Sequence, residues 1–322
     1  MTMTIKMTTT ASACAARFAA TAVGWRLRAV DPRWLQIAVL TAFIGYARIA
    51  LEQRIGAVNA IAAIGGALFA ERLCAHFWTR KFDARSALIT GLSLTLLLRS
   101  PVPSLVLLAA LGAIAAKYVV RVRGKQVFNP SNIAIVVVTL VAPGAWISTG
   151  QWGQTAMLVG AIGGLGFLVC ARAARLDLAL TFCGLWSATL VARAIWLGDP
   201  LAIPLHQMQD GTLLIFAFFM ITDPRATPDH RLARVEFAVA ICAVAYYLRF
   251  VQYQPDGVIR ALALVSPLTP LLDRWRRAAR FQWQAVDRQS IEGRSIEGRA
   301  TALGRVTAPV AGMSGLVAPI RS

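Results

Sequence analysis

Two stretches, KQVFNPSN at residues 125–132 and FMITDP at residues 219–224, decide the fold of this 322-residue chain. Each places a helix-breaking proline and polar neighbours beside a long apolar run. In a bilayer, interrupted backbone is tolerated only where it is buried in protein or lines a cavity. These two stretches are therefore the first candidates for a functional site.

The composition predicts an all-α polytopic membrane protein. Hydrophobic residues make up 57% of the chain and charged residues only 15%, whereas a soluble domain carries about 25% charged residues. Apolar runs of roughly 17–20 residues recur, which is long enough to cross a bilayer as helices. The net charge is +18, but the basic residues lie in short loops, as the positive-inside rule expects. The expected partner is therefore the lipid bilayer and not a nucleic acid.

The apolar runs predict ten transmembrane spans, of which the third and eighth are short, at about 14 residues. Both short spans end in a proline step, Ser100-Pro101 and Asp223-Pro224. With ten spans and both termini inside, the basic loops share one side of the membrane and the other loops are poor in Lys and Arg. This predicts a bacterial-type inner membrane protein with both termini in the cytoplasm. The spans cover about residues 34–51, 56–74, 86–99, 103–120, 130–147, 154–171, 177–197, 210–222, 235–252 and 256–273.

The two halves of the chain resemble each other. Phe128-Asn129-Pro130 in the first half corresponds to Tyr253-Gln254-Pro255 in the second, and each follows a helix end with aromatic and basic residues. Five spans per half is an odd number, so the second copy is inverted. Inverted repeats with broken helices are typical of transport proteins with a site near the midplane. We therefore expect two inverted five-helix repeats with broken helices 3 and 8.

The repeats define the predicted domain boundaries. Residues 34–150 form the first repeat and residues 151–282 the second, after a cytoplasmic N-terminal tail at residues 1–33. The last part, residues 283–322, carries a tandem IEGR at residues 291–294 and 296–299. That doubling is typical of a protease-site linker, so we expect a tag-like or disordered tail there.

The second break predicts a site at Thr222 and Asp223. The C-terminal end of a helix attracts a cation or proton, so Asp223 with the carbonyls beside it is a possible cation site. Asp-Pro is also a common turn signal, and Asp223 could simply cap the next turn.

The first break offers amide side chains around Pro130. Asn129 and Asn132 can both donate and accept hydrogen bonds, which suits the edge of a flavin or quinone. Ordinary N-capping ahead of Pro130 is the alternative for Asn129. In the short third span, Ser86 and Thr90 are expected to line the cavity opposite the eighth span.

Other site chemistry is not predicted. The five cysteines are scattered, and no pair has metal-ligand spacing. The chain has no Ser-His-Asp set, P-loop or dinucleotide fingerprint. We therefore predict no catalytic residues and no resident metal.

Four motifs together resemble one family. SALITG at residues 86–91, FNP at 128–130, FFMITDP at 218–224 and PDGV at 255–258 are similar in order and spacing to the D subunit of Rnf electron-transport complexes. They are also similar to the B subunit of the sodium-translocating NADH:quinone reductase. The resemblance implies a ten-helix membrane subunit of a flavin-containing redox complex that couples electron transfer to ion movement, with other redox subunits as partners.

One departure bears on the cofactor. Those subunits carry a flavin phosphate bonded to a threonine on an extended loop between helices five and six. Here that connection is only about residues 147–154 and lacks the motif, so Thr149 is not assigned a covalent FMN. The short form resembles the Rnf-D-like membrane proteins associated with enediyne-type biosynthetic clusters. The expected cofactor is a non-covalent flavin, riboflavin or FMN.

Three functions remain open at this point. The first is a membrane subunit of an electron-transfer complex that binds a redox group between its broken helices. The second is a small-molecule or ion transporter with the same fold and no redox cofactor. The third is a membrane anchor for a partner protein. A bound chromophore would favour the first.

Overall fold

The computed structural model describes residues 31–53, 55–149, 152 and 156–281 of the chain. The predicted C-terminal tail lies outside these residues, as do the first thirty residues of the predicted N-terminal tail.

Five helices form the first half of the described chain, and prolines or capping side chains start four of them, the first beginning at Pro32. Asp83 caps the third helix by accepting a hydrogen bond from the Ser86 N–H. The fourth and fifth helices begin with a proline at their first position, where no N–H donor is required. The helices are α1 (Pro32–Ile49), α2 (Ala57–Phe77), α3 (Ala84–Leu97), α4 (Pro103–Val119) and α5 (Pro130–Val141).

The second half contains seven helices within the described residues. Two of them continue as π-helical turns, α9 over Phe216–Met220 and α10 over Tyr247–Val251. A short 3-10 turn, Ser266–Leu268, joins the last two. The helices are α6 (Ala156–Arg172), α7 (Leu176–Leu197), α8 (Ala202–Met208), α9 (Gly211–Ile215), α10 (Arg231–Tyr246), α11 (Gly257–Val265) and α12 (Thr269–Trp275). Each predicted span overlaps a helix, whereas α8 has no counterpart among the predicted spans.

Extended backbone follows the short helix α3. After α3 the chain forms β1 (Leu98–Arg99), which pairs antiparallel with β4 (Trp146–Ile147). The prediction that the fifth span continues to residue 147 is wrong, because α5 ends at Val141. Pro143 follows two residues later and disfavours helical backbone at the residue before it. The chain then turns and becomes the strand that pairs with β1.

A second small hairpin precedes α5. The strands β2 (Arg121–Val122) and β3 (Lys125–Gln126) pair antiparallel. Gly124 in the turn between them has a φ of +79°, a conformation that glycine adopts without a Cβ clash. The hairpin places Gln126 four residues before Pro130, where α5 begins.

Helix packing follows the same order in the two halves. In the first half α1 packs on α3, α2 on α4, and α4 on α5. In the second half α6 packs on α9, α7 on α10, and α10 on α11. The fifth helix of each set meets the other, because α5 packs against α11. A contact between α2 and α3 depends on Gly91, whose missing Cβ would lie 2.7 Å from the Ile64 Cα.

The outer surface of the described chain is strongly apolar. Large side chains such as Phe69, Phe77, Ile195 and Trp196 are more than 60% exposed. Contiguous exposed apolar surface marks a face that another apolar phase or partner covers. Two of the described helices, α2 and α7, are long and apolar enough to cross a membrane by length and composition. The count of ten spans therefore stays a prediction.

Candidate functional site

Asn129 joins the start of α5 to the end of the broken helix α9. Its Oδ1 accepts hydrogen bonds from the Asn132 N–H at 3.1 Å and the Ser131 hydroxyl at 2.8 Å. Its Nδ2 donates to the Met220 carbonyl oxygen at 3.1 Å. Asn129 is therefore the N-cap of α5, and both ends of its amide are engaged. Pro130 follows it at the first helical position.

Asn132 lies one turn into α5 and is fully buried. Its Nδ2 donates to the Ile259 carbonyl oxygen of α11 at 2.9 Å. Its Oδ1 has no hydrogen-bond partner within the described part of the chain. Buried acceptors are almost always satisfied in folded proteins. Asn132 thus presents an unused acceptor where the two halves meet.

Thr222 and Asp223 end the other break. The Thr222 hydroxyl donates to the Phe218 carbonyl oxygen at 2.6 Å, so it is used within its own turn. Asp223 Oδ2 accepts from Gln126 Nε2 at 3.1 Å, and Asp223 Oδ1 accepts from the Arg225 N–H at 3.0 Å. The bond from the Arg225 N–H caps the turn after α9, as the sequence alternative proposed. The bond from Gln126 ties the end of α9 to the β2–β3 hairpin.

The environment of Asp223 changes its acidity. Burial raises the pKa of Asp223 above its ordinary value, even though the Arg225 N–H and nearby cations act in the opposite direction. A carboxyl group in this condition holds its proton more readily than an exposed aspartate. Within the described residues, no group of three or more His, Cys, Asp or Glu side chains is placed to bind a metal ion.

Ser86 and Thr90 lie on α3 and differ in what they contact. Ser86 Oγ accepts a hydrogen bond from Lys117 Nζ at 3.0 Å. The same ammonium pairs with Glu71 at 2.7 Å, and Glu71 also accepts from the Tyr118 hydroxyl. The Thr90 hydroxyl donates to the Ser86 carbonyl oxygen of its own helix. Ser86 therefore belongs to a polar network between α2, α3 and α4, whereas the hydroxyl of Thr90 bonds within α3.

A cavity of about 420 Å³ lies beside these groups. None of the seven predicted site residues lines this cavity. Two neighbouring residues do line it: Gln126 from the KQVFNPSN stretch and Pro224 from the FMITDP stretch. Residues from both halves of the chain form its walls. They are Glu71, Arg80, Lys81, Asp83, Lys117, Tyr118, Arg121, Gly124, Lys125, Gln126, Pro224, Arg225, Asp229, Arg280 and Phe281.

Gln126 is the most informative residue that the sequence reasoning did not select. It is buried, and while its Nε2 donates to Asp223 its Oε1 has no partner among the described residues. It lies within the KQVFNPSN stretch, so its proximity to Pro130 was the available signal. Only the fold shows that the β2–β3 hairpin brings the Gln126 side chain to Asp223 in the second half.

Ion pairs hold the walls of the cavity together. Asp83 pairs with Arg33 at 2.9 Å and with Arg225 at 3.0 Å. Burial acts to raise the pKa of Asp83, but the charges of Arg225 and Arg33 outweigh it and lower that pKa below its ordinary value. Arg225 lies 142 residues from Asp83 in the chain, so this pair links the two halves.

Lys125 forms a second set of ion pairs at the cavity wall. Lys125 Nζ lies 2.8 Å from Asp229 and 2.7 Å from Asp273. Arg175 adds a longer contact to Asp229 at 3.4 Å. The β2–β3 hairpin is thereby tied to the segments before α10 and in α12.

A much smaller cavity, of about 20 Å³, lies near the start of α11. Asp256, one of its lining residues, pairs with Arg260 at 2.8 Å, and its Oδ1 is buried without a partner among the described residues. A volume of that size holds about one water molecule. It is too small for an organic cofactor.

The fold and the cavity define a helical protein with an apolar exterior and a charged cavity whose walls come from both halves of the described chain. Residues 143–282 match the model of the NQR2, RnfD, RnfE family. This match confirms the resemblance drawn from the motifs, and it covers the second half of the chain. The motifs at residues 86–91 and 128–130 lie outside the matched residues.

Curated relatives agree with the family match. The chain is 31% identical over 129 residues to the D subunit of the ion-translocating oxidoreductase complex of Salmonella paratyphi B. The same identity and length are found for the corresponding protein of Salmonella newport. The match covers 39% of this chain and 35% of each relative. The chain thus spans about a third of the length of these relatives.

Proposed function

We propose that this protein is an integral membrane subunit of an electron-transfer complex. The family match over residues 143–282 supports this assignment, as do the apolar exterior and the interrupted helices. The relatives are named as subunits of an ion-translocating oxidoreductase complex, so other redox subunits are the proposed partners. The proposed location is a bacterial-type inner membrane, with both termini in the cytoplasm.

The proposed architecture is two inverted five-helix repeats. The matching order of helix packing in the two halves supports it. So does the capping of both short helices by an aspartate, Asp83 before α3 and Asp210 before α9. Inverted repeats of this kind place a binding site at the repeat interface. The Gln126–Asp223 hydrogen bond also connects the two halves.

The proposed cofactor is a non-covalent flavin, and one observation carries this proposal. Gln126 Oε1 is a buried acceptor without a described partner, and Gln126 lines a cavity whose volume is in the range of small-ligand sites. A flavin ring has an N–H edge that such an acceptor can bind. Gln126 would hold that edge. Asn132 does not line the cavity, and its proposed role is to position α5 through its bond to the Ile259 carbonyl oxygen. A bound flavin supplies reversible one- and two-electron transfer.

The other predicted residues take supporting roles in this proposal. Asn129 and Pro130 fix the start of α5, and Thr222 fixes the end of α9, so they set where Gln126 and Asp223 meet. Ser86, with Thr90 one turn along α3, orients Lys117. Asp223 would hold a proton at its carboxyl group and exchange it as the charge in the cavity changes. Asp223 is also the proposed site for a coupled cation.

The test is direct. The full chain is purified in mild detergent, its visible spectrum is recorded, and the denatured protein is assayed for released flavin by fluorescence. Stoichiometric flavin without covalent attachment is expected. A colourless protein would contradict the proposal, and substrate flux in vesicles would then identify a carrier. In the coloured protein, Asp223→Asn should change the redox potential or ion coupling without loss of folding.

A further inference from the structure

The rim of the 420 Å³ cavity carries positive charge that the described residues do not neutralise. Seven lysine or arginine side chains line the cavity against three carboxylates. All three carboxylates are already paired: Glu71 with Lys117, Asp83 with Arg225 and Arg33, and Asp229 with Lys125 and Arg175. The inner wall is therefore close to electrically balanced. The excess charge lies elsewhere on the lining.

Four cations make up this excess, and we refer to them as the rim cations: Arg80, Lys81, Arg121 and Arg280. None of them has a carboxylate partner in the described ranges. Arg121 donates to the carbonyl oxygens of Lys117 and Gly124, and Arg280 donates to that of Arg123. Carbonyl oxygens orient a guanidinium group but do not cancel its charge, so each arginine keeps free N–H donors.

Three of the rim cations, Arg80, Arg121 and Arg280, are close enough to repel one another. Burial lowers the pKa of Arg121, and the charges of Arg80, Arg225 and Arg280 lower that pKa further. Tyr118 acts in the opposite direction. Like charges gathered around one concavity are stabilised when an anion enters, and such a concavity concentrates anions from solution.

The positive-inside rule alone does not require this arrangement. That rule asks only for Lys and Arg in loops on one side of the membrane. Arg274 and Arg277 satisfy it as exposed residues that do not line the cavity. The rim cations differ because they come from three separate segments of the chain and converge on the mouth of one cavity.

We propose that the rim cations bind the phosphate group of a soluble ligand, with Arg121 and Arg280 as the central donors. Guanidinium groups bind phosphate through paired N–H donors, which matches the free donors on these two residues. This inference rests on the proposed function and makes its ligand more specific. When the flavin ring lies against Gln126, the phosphate lies at the rim. The ligand is then the flavin mononucleotide and not riboflavin.

The test compares two ligands that differ only by the phosphate. The full chain is placed in nanodiscs of zwitterionic phosphatidylcholine, and binding of FMN and riboflavin is followed by quenching of flavin fluorescence. We expect FMN to bind at least about tenfold more tightly than riboflavin. Added salt should weaken the binding of FMN and leave that of riboflavin unchanged.

Two variants distinguish an effect of the rim cations from an effect of net positive charge. The triple variant Arg80→Ala/Lys81→Ala/Arg280→Ala removes three exposed cations, so folding should be preserved. In it the FMN preference should fall severalfold, to the part that Arg121 alone supplies. The control Arg274→Ala/Arg277→Ala removes exposed cations that do not line the cavity, and it should keep the preference.

The outcomes distinguish this inference from the proposed function. Equal affinity of the unmodified protein for FMN and riboflavin would overturn the phosphate site and leave the flavin proposal standing. Binding of inorganic pyrophosphate, lost in the triple variant, without binding of either flavin would support the phosphate site and contradict the flavin proposal. If no phosphate ligand binds in phosphatidylcholine, but the rim cations retain phosphatidylglycerol, the surface belongs to a lipid headgroup and the inference is wrong.

Discussion

Gln126 Nε2 donates a hydrogen bond of 3.1 Å to Asp223 Oδ2, across 97 residues of sequence. The bond connects the hairpin before α5 to the turn after α9, and it therefore joins the start of α5 to the end of the interrupted helix α9. One partner keeps an unused buried acceptor, and the other has a raised pKa. This contact is where the proposed redox site and the proposed proton or cation site coincide.

The raised pKa of Asp223 has a consequence for stability. A carboxyl whose pKa is raised on folding contributes stability below its unfolded pKa, near 3.8, and loses that contribution as pH rises through the folded pKa. We expect Asp223→Asn to remove this decline, so that its melting temperature falls less than that of the unmodified protein between pH 4 and pH 8. Thermal unfolding in detergent over this range measures it. The control Asp199→Asn, at a partly exposed position, should leave the decline in place. Parallel curves for Asp223→Asn and the unmodified protein would contradict the prediction.

Asp83 should behave in the opposite way. A carboxyl whose pKa is lowered on folding contributes stability above its unfolded pKa and loses it as pH falls through the folded pKa. We expect Asp83→Asn to cost about 1–3 kcal/mol at neutral pH, because Arg225 and Arg33 lose their charged partner. The difference from the unmodified protein should shrink on acidification below pH 3.8.

Asp210 offers the matched control for this prediction. It caps α9 as Asp83 caps α3, by accepting a backbone N–H near the helix start, and no ion pair of the described residues includes it. Asp210→Asn should therefore show a smaller loss at neutral pH. Asparagine also caps helices, so equal losses for the two variants would mean that Asp83 contributes through its negative charge at the helix start, and not through the link to Arg225.

The buried pair of Glu71 and Lys117 should be intolerant of single changes. Both side chains are less than 5% exposed, and their charged atoms lie 2.7 Å apart. Lys117→Met leaves the Glu71 charge buried and should cost about 3–5 kcal/mol, whereas Glu71→Leu/Lys117→Met should recover most of that loss. Unfolding midpoints of the single and double variants measure the coupling.

A partly exposed ion pair provides the comparison for the buried pair of Glu71 and Lys117. Arg193 and Asp199 lie 3.8 Å apart and are about one third exposed, so Arg193→Met should cost less than about 1 kcal/mol. A double variant of the buried pair that is no more stable than Lys117→Met would show that the charge left unpaired is not the cause.

Gly166 should be sensitive to the smallest possible change. A Cβ at this position would lie 2.7 Å from the Cβ and Cγ of Phe218, in the π-helical turn after α9. We expect Gly166→Ala to destabilise the protein by about 1–3 kcal/mol, because helix α6 would be pushed from that turn. Thermal unfolding measures the change.

Gly163 lies on the same helix and is the control. Apart from its chain neighbours and the nearby backbone of its own helix, no described atom lies within 4 Å of the position that its Cβ would occupy. Gly163→Ala should therefore gain up to about 1 kcal/mol from helix propensity. A stabilising Gly166→Ala would mean that the α6–α9 contact is looser than the structure has it.

Much of the helical pattern could be predicted from the sequence because it depends on local properties. Apolar runs predict helices from their length, and Pro130 and Pro224 interrupt them through the geometry of their own rings. The early end of α5 was missed although Pro143 was present, because the apolar residues after it were counted as helix. The π-helical turn at Phe216–Met220 has no comparable signal: the same residues are compatible with an α-helix, and packing against α6 and α7 selects the wider turn.

What the sequence by itself determined is the class of chain, the places where its helices break, and the family that its second half matches. Tertiary structure alone decided which polar groups meet: Gln126 with Asp223, Asp83 with Arg225, and the rim cations with one another. The physical reason is distance along the chain. Hydrophobic burial and proline geometry act within a few residues, whereas a hydrogen bond or ion pair between residues about a hundred positions apart depends on how every intervening helix packs.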